Sequence, residues 1–405
     1  MLKRSYPDFH HYIGESSHRN IEGVHEFKSR KIYEDDISVV KIPKLQRGLI
    51  VSTFDKELTL ASDLPVKQHL GEYEILIQNK HIGLNHVDWK SKKYRFNIYS
   101  FPWVNGRESG GVVVKRGSKV DKKQFPLLTE VFLASTSYRN LETSTFQEYT
   151  VFDSRLVWKL PQQRLPNGRI SRRFDLDFAA GVGVGLVTAG SAVSSLVELA
   201  STIETDLPKL GNIVIWGGSS SVGLYAIQLA RASKRFNKII VVSASKHEEY
   251  LVELGATYVV DRYQSEQEIA EEISSLCPDG VDYGVDVISK ETAKLLTKIL
   301  DNGGGDTKRL VCVVGTPQIS PDSFGKNAKR KFVIESVNIK KFHEDLAFGS
   351  WFVNYTSRLF EKGELKPIKA IKIFKSLDNF GEGIKNGLRE LEERGASAEK
   401  FVASL

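Results

Sequence analysis

The run Ile213-Val214-Ile215-Trp216-Gly217-Gly218-Ser219-Ser220-Ser221-Val222-Gly223-Leu224 constrains this chain more than any other. Four apolar residues in a row describe a strand buried on both faces, and SVGLYAIQLARAS then carries its apolar residues at helical spacing. A buried strand that turns through small residues into a helix leaves backbone amides and the positive end of a helix dipole facing outward, a setting for a pyrophosphate. Gly218 is expected to allow the tight turn and Gly223 to let the helix pack close to the strand. Ser220 takes the middle place of G-x-G-x-x-G, where serine is small and can donate a hydrogen bond. The candidate phosphate-binding residues are Gly218, Ser219, Ser220, Ser221, Val222 and Gly223; a glycine turn without a ligand would give the same pattern.

The alternation continues downstream. KIIVVSAS, TYVVD, YGVDVIS and RLVCVVG read as strands, and EEYLVELG, QEIAEEISSLC and ETAKLLTKILDN as helices, which predicts a parallel sheet covered on both faces. Upstream, from Gly48, the segments GLIVSTFD, YEILIQNKHIG, ESGGVVVKRG and FQEYTVFDSRLVWKL are short strands with glycine punctuation, the texture of a compact β-rich domain. Between the two, DFAAGVGVGLVTAGSAVSSLVELA reads as one long helical segment. Residues 1–45 are polar and hold His10, His11, His18 and His25 without metal-site spacing, so they are expected to form a flexible arm. The resulting division is 1–45 arm, 46–185 β-rich domain, 186–344 nucleotide-binding domain, and 345–405 returning to the β-rich domain.

The strand after the phosphate-loop helix indicates which nucleotide would fit. Ile239-Ile240-Val241-Val242 ends in Ser243-Ala244-Ser245-Lys246-His247, with no acid before Glu248. A carboxylate at that tip would hold ribose hydroxyls and repel a 2′-phosphate, whereas Ser243, Ser245 and Lys246 can receive one through hydrogen bonds and charge. NADPH is the expected cofactor. The plainer reading is a solvated helix start with Ser245 as its N-cap.

Composition narrows the remaining choices. Cys277 and Cys312 cannot build a thiolate zinc cluster and suit a reducing compartment. No window approaches the roughly 18 apolar residues of a membrane span, and no apolar stretch follows Lys3 and Arg4, so a cytoplasmic protein is expected. The net charge of +7 sits in short runs: Lys90, Lys92, Lys93 and Arg95; Lys115, Arg116, Lys119, Lys122 and Lys123; and Lys326, Lys329, Arg330 and Lys331. No nucleic-acid motif accompanies them. They read as solvated surface, or as contacts for an anionic membrane or a phosphorylated ligand.

Taken together, GRESGGVVVKRGSKV, TFQEYTVFDSRLVWKLP, GGSSSVGLYAIQLAR and LGATYVVDRY, in this order and spacing, resemble the medium-chain dehydrogenase/reductase superfamily. LNHVDWK and WGGSSSVG bring the chain nearest its zinc-free quinone-oxidoreductase and enoyl-reductase branch, fungal ToxD-like reductases in particular. The resemblance runs from about residue 48 to the C-terminus. It implies an α/β fold in which a GroES-like β-rich domain is split in sequence around a Rossmann doubly wound parallel-sheet domain, with the active site between them. Homodimers are common in that superfamily.

Where metal-dependent relatives have a cysteine and Gly-His-Glu, this chain has Asn85 and Gly106-Arg107-Glu108. A guanidinium cannot replace imidazole as a ligand, so no zinc is expected. The resemblance then implies NADPH-dependent hydride transfer to a quinone, enone or aldehyde, with Asn85, Tyr94 and Thr188 near the nicotinamide. Tyr94 is the candidate proton donor, although Lys-Lys-Tyr-Arg reads equally as a solvated loop and Thr188 as a plain helix residue. Asp88 and Glu108 read as structural, capping turns or pairing with Arg107 or Lys90. Two departures stand out: Asn85-His86 in place of Asn-Pro, and Leu127-Leu128-Thr129-Glu130-Val131 in place of Gly-Asp-Arg-Val. With the polar arm and basic runs, they leave a second function open. That function is a catalytically reduced peripheral membrane adaptor, as in the yeast Ast-type subgroup, which serves delivery of the plasma-membrane proton pump.

Overall fold

A computed structural model describes residues 16–20, 41–135, 140–165, 167–197, 199, 208–318, 331–376 and 379–405. Ile213–Trp216 is buried at every residue, as its unbroken apolar run requires. It lies inside a six-stranded parallel sheet in the order Tyr258–Asp261, Ile239–Ser243, Ile213–Trp216, Tyr283–Asp286, Thr307–Cys312 and Lys331–Ser336. Successive side chains of a strand face opposite ways. Ile213, Ile215, Ile239 and Val241 accordingly enter one apolar cluster, while Val214, Trp216, Ile240 and Val242 enter another. The order reverses beside Ile213–Trp216, the switch point outside which open α/β sheets bind ligands.

The second unit is an eight-stranded sheet around Glu74–Gly83, which pairs antiparallel with Glu108–Arg116, Tyr149–Asp153 and Glu399–Ser404. The last of these strands comes from the chain's end, so the tail does return to the β-rich unit. One apolar cluster runs through both units, from Ile75 and Phe132 to Ile215 and Leu224. Within it Trp158 stacks between Phe132 and Phe342, and its indole N–H donates to the Thr356 hydroxyl at 2.8 Å. No helix among the described residues is long and apolar enough to cross a membrane.

Two expectations need correction. The long helical segment is broken into Leu176–Ala179 and Gly183–Leu196. The break brings the chain hard against its neighbours: a Cβ on Gly181 would lie 2.5 Å from the Lys400 side chain, and one on Gly183 would lie 2.4 Å from the Leu133 carbonyl oxygen. The arm is not wholly free either, because Ser16–Asn20 pairs antiparallel with Ala370–Lys375. Arg19 fastens this strand by ion pairs to Asp175 and Asp177 and lies over the Phe178 ring. The rest of residues 1–40, with His10, His11 and His25, and the basic residues Lys326, Lys329 and Arg330 lie outside the described residues.

His343 supplies a pH dependence. Its ring is wedged edge-on against Phe152 and Phe342, and burial pushes its pKa down to about 4. The unfolded chain, with an ordinary imidazole near 6.5, therefore binds more protons between those values, and stability falls as pH drops through that window. Denaturant midpoints from pH 7 to pH 4 are expected to decline less steeply for His343→Phe than for the wild-type chain; equal slopes would remove His343 from the account.

Candidate active site between the two units

At the carboxyl end of Ile213–Trp216, Gly217 rather than Gly218 makes the left-handed turn, with φ of 92°. Gly218 is needed for a different reason: a Cβ there would lie 2.0 Å from Val241. Gly223 performs its expected task, since a Cβ would lie 2.3 Å from the Gly217 carbonyl oxygen. Ser220 is the N-cap of helix Ser221–Ser233; its hydroxyl accepts from the Gly223 N–H at 3.0 Å and donates to the Gly217 carbonyl at 2.8 Å. Among the described residues the amides of Ser219, Ser221 and Val222 find no acceptor, which leaves three N–H groups open at the start of the helix.

At the tip of Ile239–Ser243 the Ser243 hydroxyl is buried without a partner. Ser245 and Lys246 are exposed in a one-turn helix, Ser245–His247, so Ser245 is not the N-cap of the helix that follows. Arg262, which the sequence reading passed over, arrives here because its N–H donates to the Ser243 carbonyl at 2.9 Å. The His247 imidazole is held below its ordinary pKa by burial and by the positive charges of Lys246 and Arg262. Asp261 is paired with Ser243 in the sheet register, but its carboxylate accepts from the Tyr263 N–H.

The C-terminal turn joins this wall to the other unit. The Ala398 N–H donates to the Ser219 carbonyl at 2.8 Å, and the Ser397 hydroxyl meets His247 Nε2 at 2.8 Å. Two residues on, Lys400 enters a buried network, its ammonium 2.6 Å from Glu108 Oε1 and 2.8 Å from Asn85 Oδ1. Asn85 Nδ2 donates to the same Glu108 oxygen at 2.8 Å, and the Val184 N–H donates to Glu108 Oε2 at 2.7 Å. Beside it Arg107 is paired with Asp88 at 2.9 Å, and Asp88 also accepts from the Asn85 N–H at 2.9 Å. Asp88 thus has the structural role expected of it, while Glu108 pairs with Lys400 instead of with Arg107 or Lys90.

Thr188 lies one helical turn beyond Val184, and its hydroxyl donates to the Val184 carbonyl at 2.7 Å. The structure therefore gathers Asn85, Glu108, Lys400 and Thr188. It does not add Tyr94 to them. Tyr94 ends helix His86–Lys93, about 13 Å along the axis from Asn85, and is 61% exposed beside Trp89.

Comparison with known proteins fits this geometry. Residues 71–162 match the alcohol dehydrogenase GroES-like domain, and residues 221–344 match a domain described as zinc-binding dehydrogenase. A dehydrogenase of Monascus ruber is 28% identical over 308 residues, 74% of each chain. A trans-enoyl reductase of Pyricularia oryzae is 26% identical over 366 residues, covering 86% of this chain and 94% of its own. Among solved structures, an alcohol dehydrogenase superfamily protein from Novosphingobium aromaticivorans superposes with a TM-score of 0.69 at 17% identity, over 89% of this chain and 99% of the other. The chain belongs to the medium-chain dehydrogenase/reductase superfamily. It is an oxidoreductase of that superfamily, built from a GroES-like and a Rossmann domain.

The zinc that one of these domain descriptions implies does not fit the residues present. At the positions of the expected ligands stand Asn85, whose amide is engaged at both its oxygen and its nitrogen, and Arg107, whose guanidinium is buried against Asp88, with the Lys400 ammonium 2.8 Å from the Asn85 oxygen. The network joins by charge segments of the β-rich unit that lie far apart in the chain, and its deletion should show this. Glu108→Gln strands the Lys400 ammonium, which is only 4% exposed, and is expected to cost about 3 kcal/mol or more in denaturant unfolding. Glu108→Gln combined with Lys400→Met removes both charges and is expected to recover most of that loss. A single variant within about 1 kcal/mol of wild type would contradict a buried pair.

Proposed function

We propose that the chain is a zinc-independent, NADPH-dependent reductase acting on an activated alkene or carbonyl, of the enone, quinone or aldehyde class. The observation that supports the cofactor is the cationic tip of the second strand, where Lys246 and Arg262 both bear on His247 and no carboxylate does. A phosphate on the adenosine ribose would find charge and hydrogen-bond donors there. The open amides of Ser219, Ser221 and Val222 would hold the pyrophosphate. The likeness to a trans-enoyl reductase supports the alkene.

When bound, the nucleotide supplies the hydride. The chain's own residues position it and stabilise what develops. Asn85, locked between Glu108 and Lys400, fixes the floor of the cleft without a rotamer to lose. Lys400, its charge balanced by Glu108, holds the Asn85 amide in place. Thr188 presents its methyl face, since its hydroxyl is committed to Val184. Tyr94, exposed at the far end of the helix that Asn85 begins, would serve as proton donor only to a substrate that extends from Asn85 to that end.

Fluorescence titration is expected to show NADPH binding more tightly than NADH. Lys246→Ala and Arg262→Ala are each expected to weaken NADPH about tenfold and to leave NADH unchanged. Equal affinity for the two nucleotides, or variants that weaken both alike, would refute the 2′-phosphate site. Consumption of NADPH with a panel of enones, quinones and aldehydes then identifies the substrate class, and Tyr94→Phe is expected to lower turnover at least tenfold without changing NADPH affinity.

A further inference from the structure

Ser16–Asn20 lies along the strand Ala370–Lys375 and has no apolar residue to bury, since it reads Ser-Ser-His-Arg-Asn. Beyond its backbone pairing it depends on two side chains. His18 reaches Glu399 at 3.3 Å but is 62% exposed, and such a pair contributes little. Arg19 is the anchor, paired with Asp175 at 3.0 Å and with Asp177, and these carboxylates are only 17% and 5% exposed. A five-residue polar strand held mainly by one guanidinium belongs to the parts of a fold that open before the rest.

Asp177 is the group that its departure would strand. One carboxylate oxygen takes Arg19, and the other accepts from the Phe178 N–H at 2.8 Å. Without Arg19 a buried carboxylate would stand with no cation, a costly state. A second source of positive charge lies on the same face of the sheet. His81 stands opposite Gly110 and Ser404, and a Cβ at Gly110 would lie 2.8 Å from the Leu176 carbonyl oxygen, one residue from Asp177. Arg19 shares that face, because it is in register with Ile371 and, through it, with Lys400. The His81 Nδ1 is buried and has no partner among the described residues. Burial holds the imidazole below its ordinary pKa; Arg19 and Lys80 add to this, and Asp177 and Asp175 oppose it. The other charges nearby are already paired, Lys400 with Glu108 and Arg172 with Glu130. Departure of Arg19 removes a positive charge and leaves Asp177 bare, and both changes favour the imidazolium.

We propose that the edge of Ala370–Lys375 is a strand-addition site whose occupant, Ser16–Asn20, is released by acid, with Arg19 and protonated His81 as alternative counter-ions of Asp177. The seated form pairs Asp177 with Arg19 and keeps His81 neutral. The released form pairs Asp177 with the imidazolium and presents an open sheet edge that another strand can join. Because the released form binds the extra proton, falling pH favours release. With the ordinary imidazole value near 6.5 in the released form, the leverage between about pH 7.5 and about pH 5.5 is up to about tenfold. His18 acts the other way, since its protonation strengthens the pair with Glu399, and its exposure keeps that effect small.

Hydrogen exchange of the full chain at these two pH values, read by mass spectrometry as protection relative to intrinsic rates, is the test. Protection of Ser16–Asn20 and of Ala370–Lys375 is expected to fall together at the lower pH, by about three- to tenfold, while Ile213–Trp216 keeps its protection. His81→Gln is expected to abolish that fall, and His18→Gln to leave it in place. Arg19→Gln, on a strand that packs no apolar side chain, is expected to lower protection of both segments at the higher pH already. Equal wild-type protection at the two pH values overturns the assignment, as does a fall that His81→Gln leaves unchanged. A fall shared by Ile213–Trp216 overturns it too, because the whole fold would then be opening, and so does wild-type protection in Arg19→Gln.

Discussion

The buried ion pair between Lys400 and Glu108 is the interaction on which the site's geometry depends. Four segments meet in it: the last strand through Lys400, the β-rich sheet through Glu108, the start of helix His86–Lys93 through Asn85, and the start of helix Gly183–Leu196 through the Val184 N–H. Removing such charges from water is expensive, and the cost is offset only when every oxygen and proton is engaged. Here Glu108 accepts at both oxygens and Asn85 bonds at both ends of its amide. A small error in the placement of any of the four segments would leave a charge unpaired, so the network demands registration more than it adds net stability.

The phosphate loop is registered to the same network through the turn that ends in Ala398. Because Lys400 is two residues beyond that turn, the position of Ser219 is coupled to the position of Glu108 by a short stretch of backbone. The loop itself is shaped by exclusion. Gly217 supplies a backbone angle that a side chain resists, Gly218 makes room for Val241, and Gly223 makes room for Gly217. Ser220 can stand where a glycine is usual because the N-cap conformation, φ −77° and ψ 158°, is one that any residue adopts, and its hydroxyl satisfies an amide that would otherwise be open.

Much of this was legible in the sequence because it is local. The strand–turn–helix at Ile213–Ser233, the alternation after it and the short strands before it follow from periodicity, and all appear where the pattern places them. Asp88 was readable as structural because its partners lie within one turn and one strand. What was not legible depends on distance along the chain. Lys400 lies 315 residues from Asn85, and nothing in LGATYVVDRY singles out Arg262 until the sheet sets it beside Ser243. The two glycines of the turn could not be told apart because φ is decided by what each would strike. The split of the helical segment has the same cause, since Gly181 and Gly183 answer to Lys400 and Leu133. Tyr94 was placed near the nicotinamide by resemblance alone, and helix His86–Lys93 carries it away from Asn85.

The proposed cofactor site has a cationic end for a ribose phosphate and open amides for a pyrophosphate. Phosphorus NMR of NADPH titrated with the protein, followed across pH, reads both at once. Both sets of resonances are expected to shift on binding, and the titration midpoint of the 2′-phosphate to fall below that of free NADPH, because Lys246 and Arg262 favour its dianion. A pyrophosphate that shifts beside a 2′-phosphate whose midpoint stays put would contradict the cationic end, and resonances that do not move at all would contradict the site.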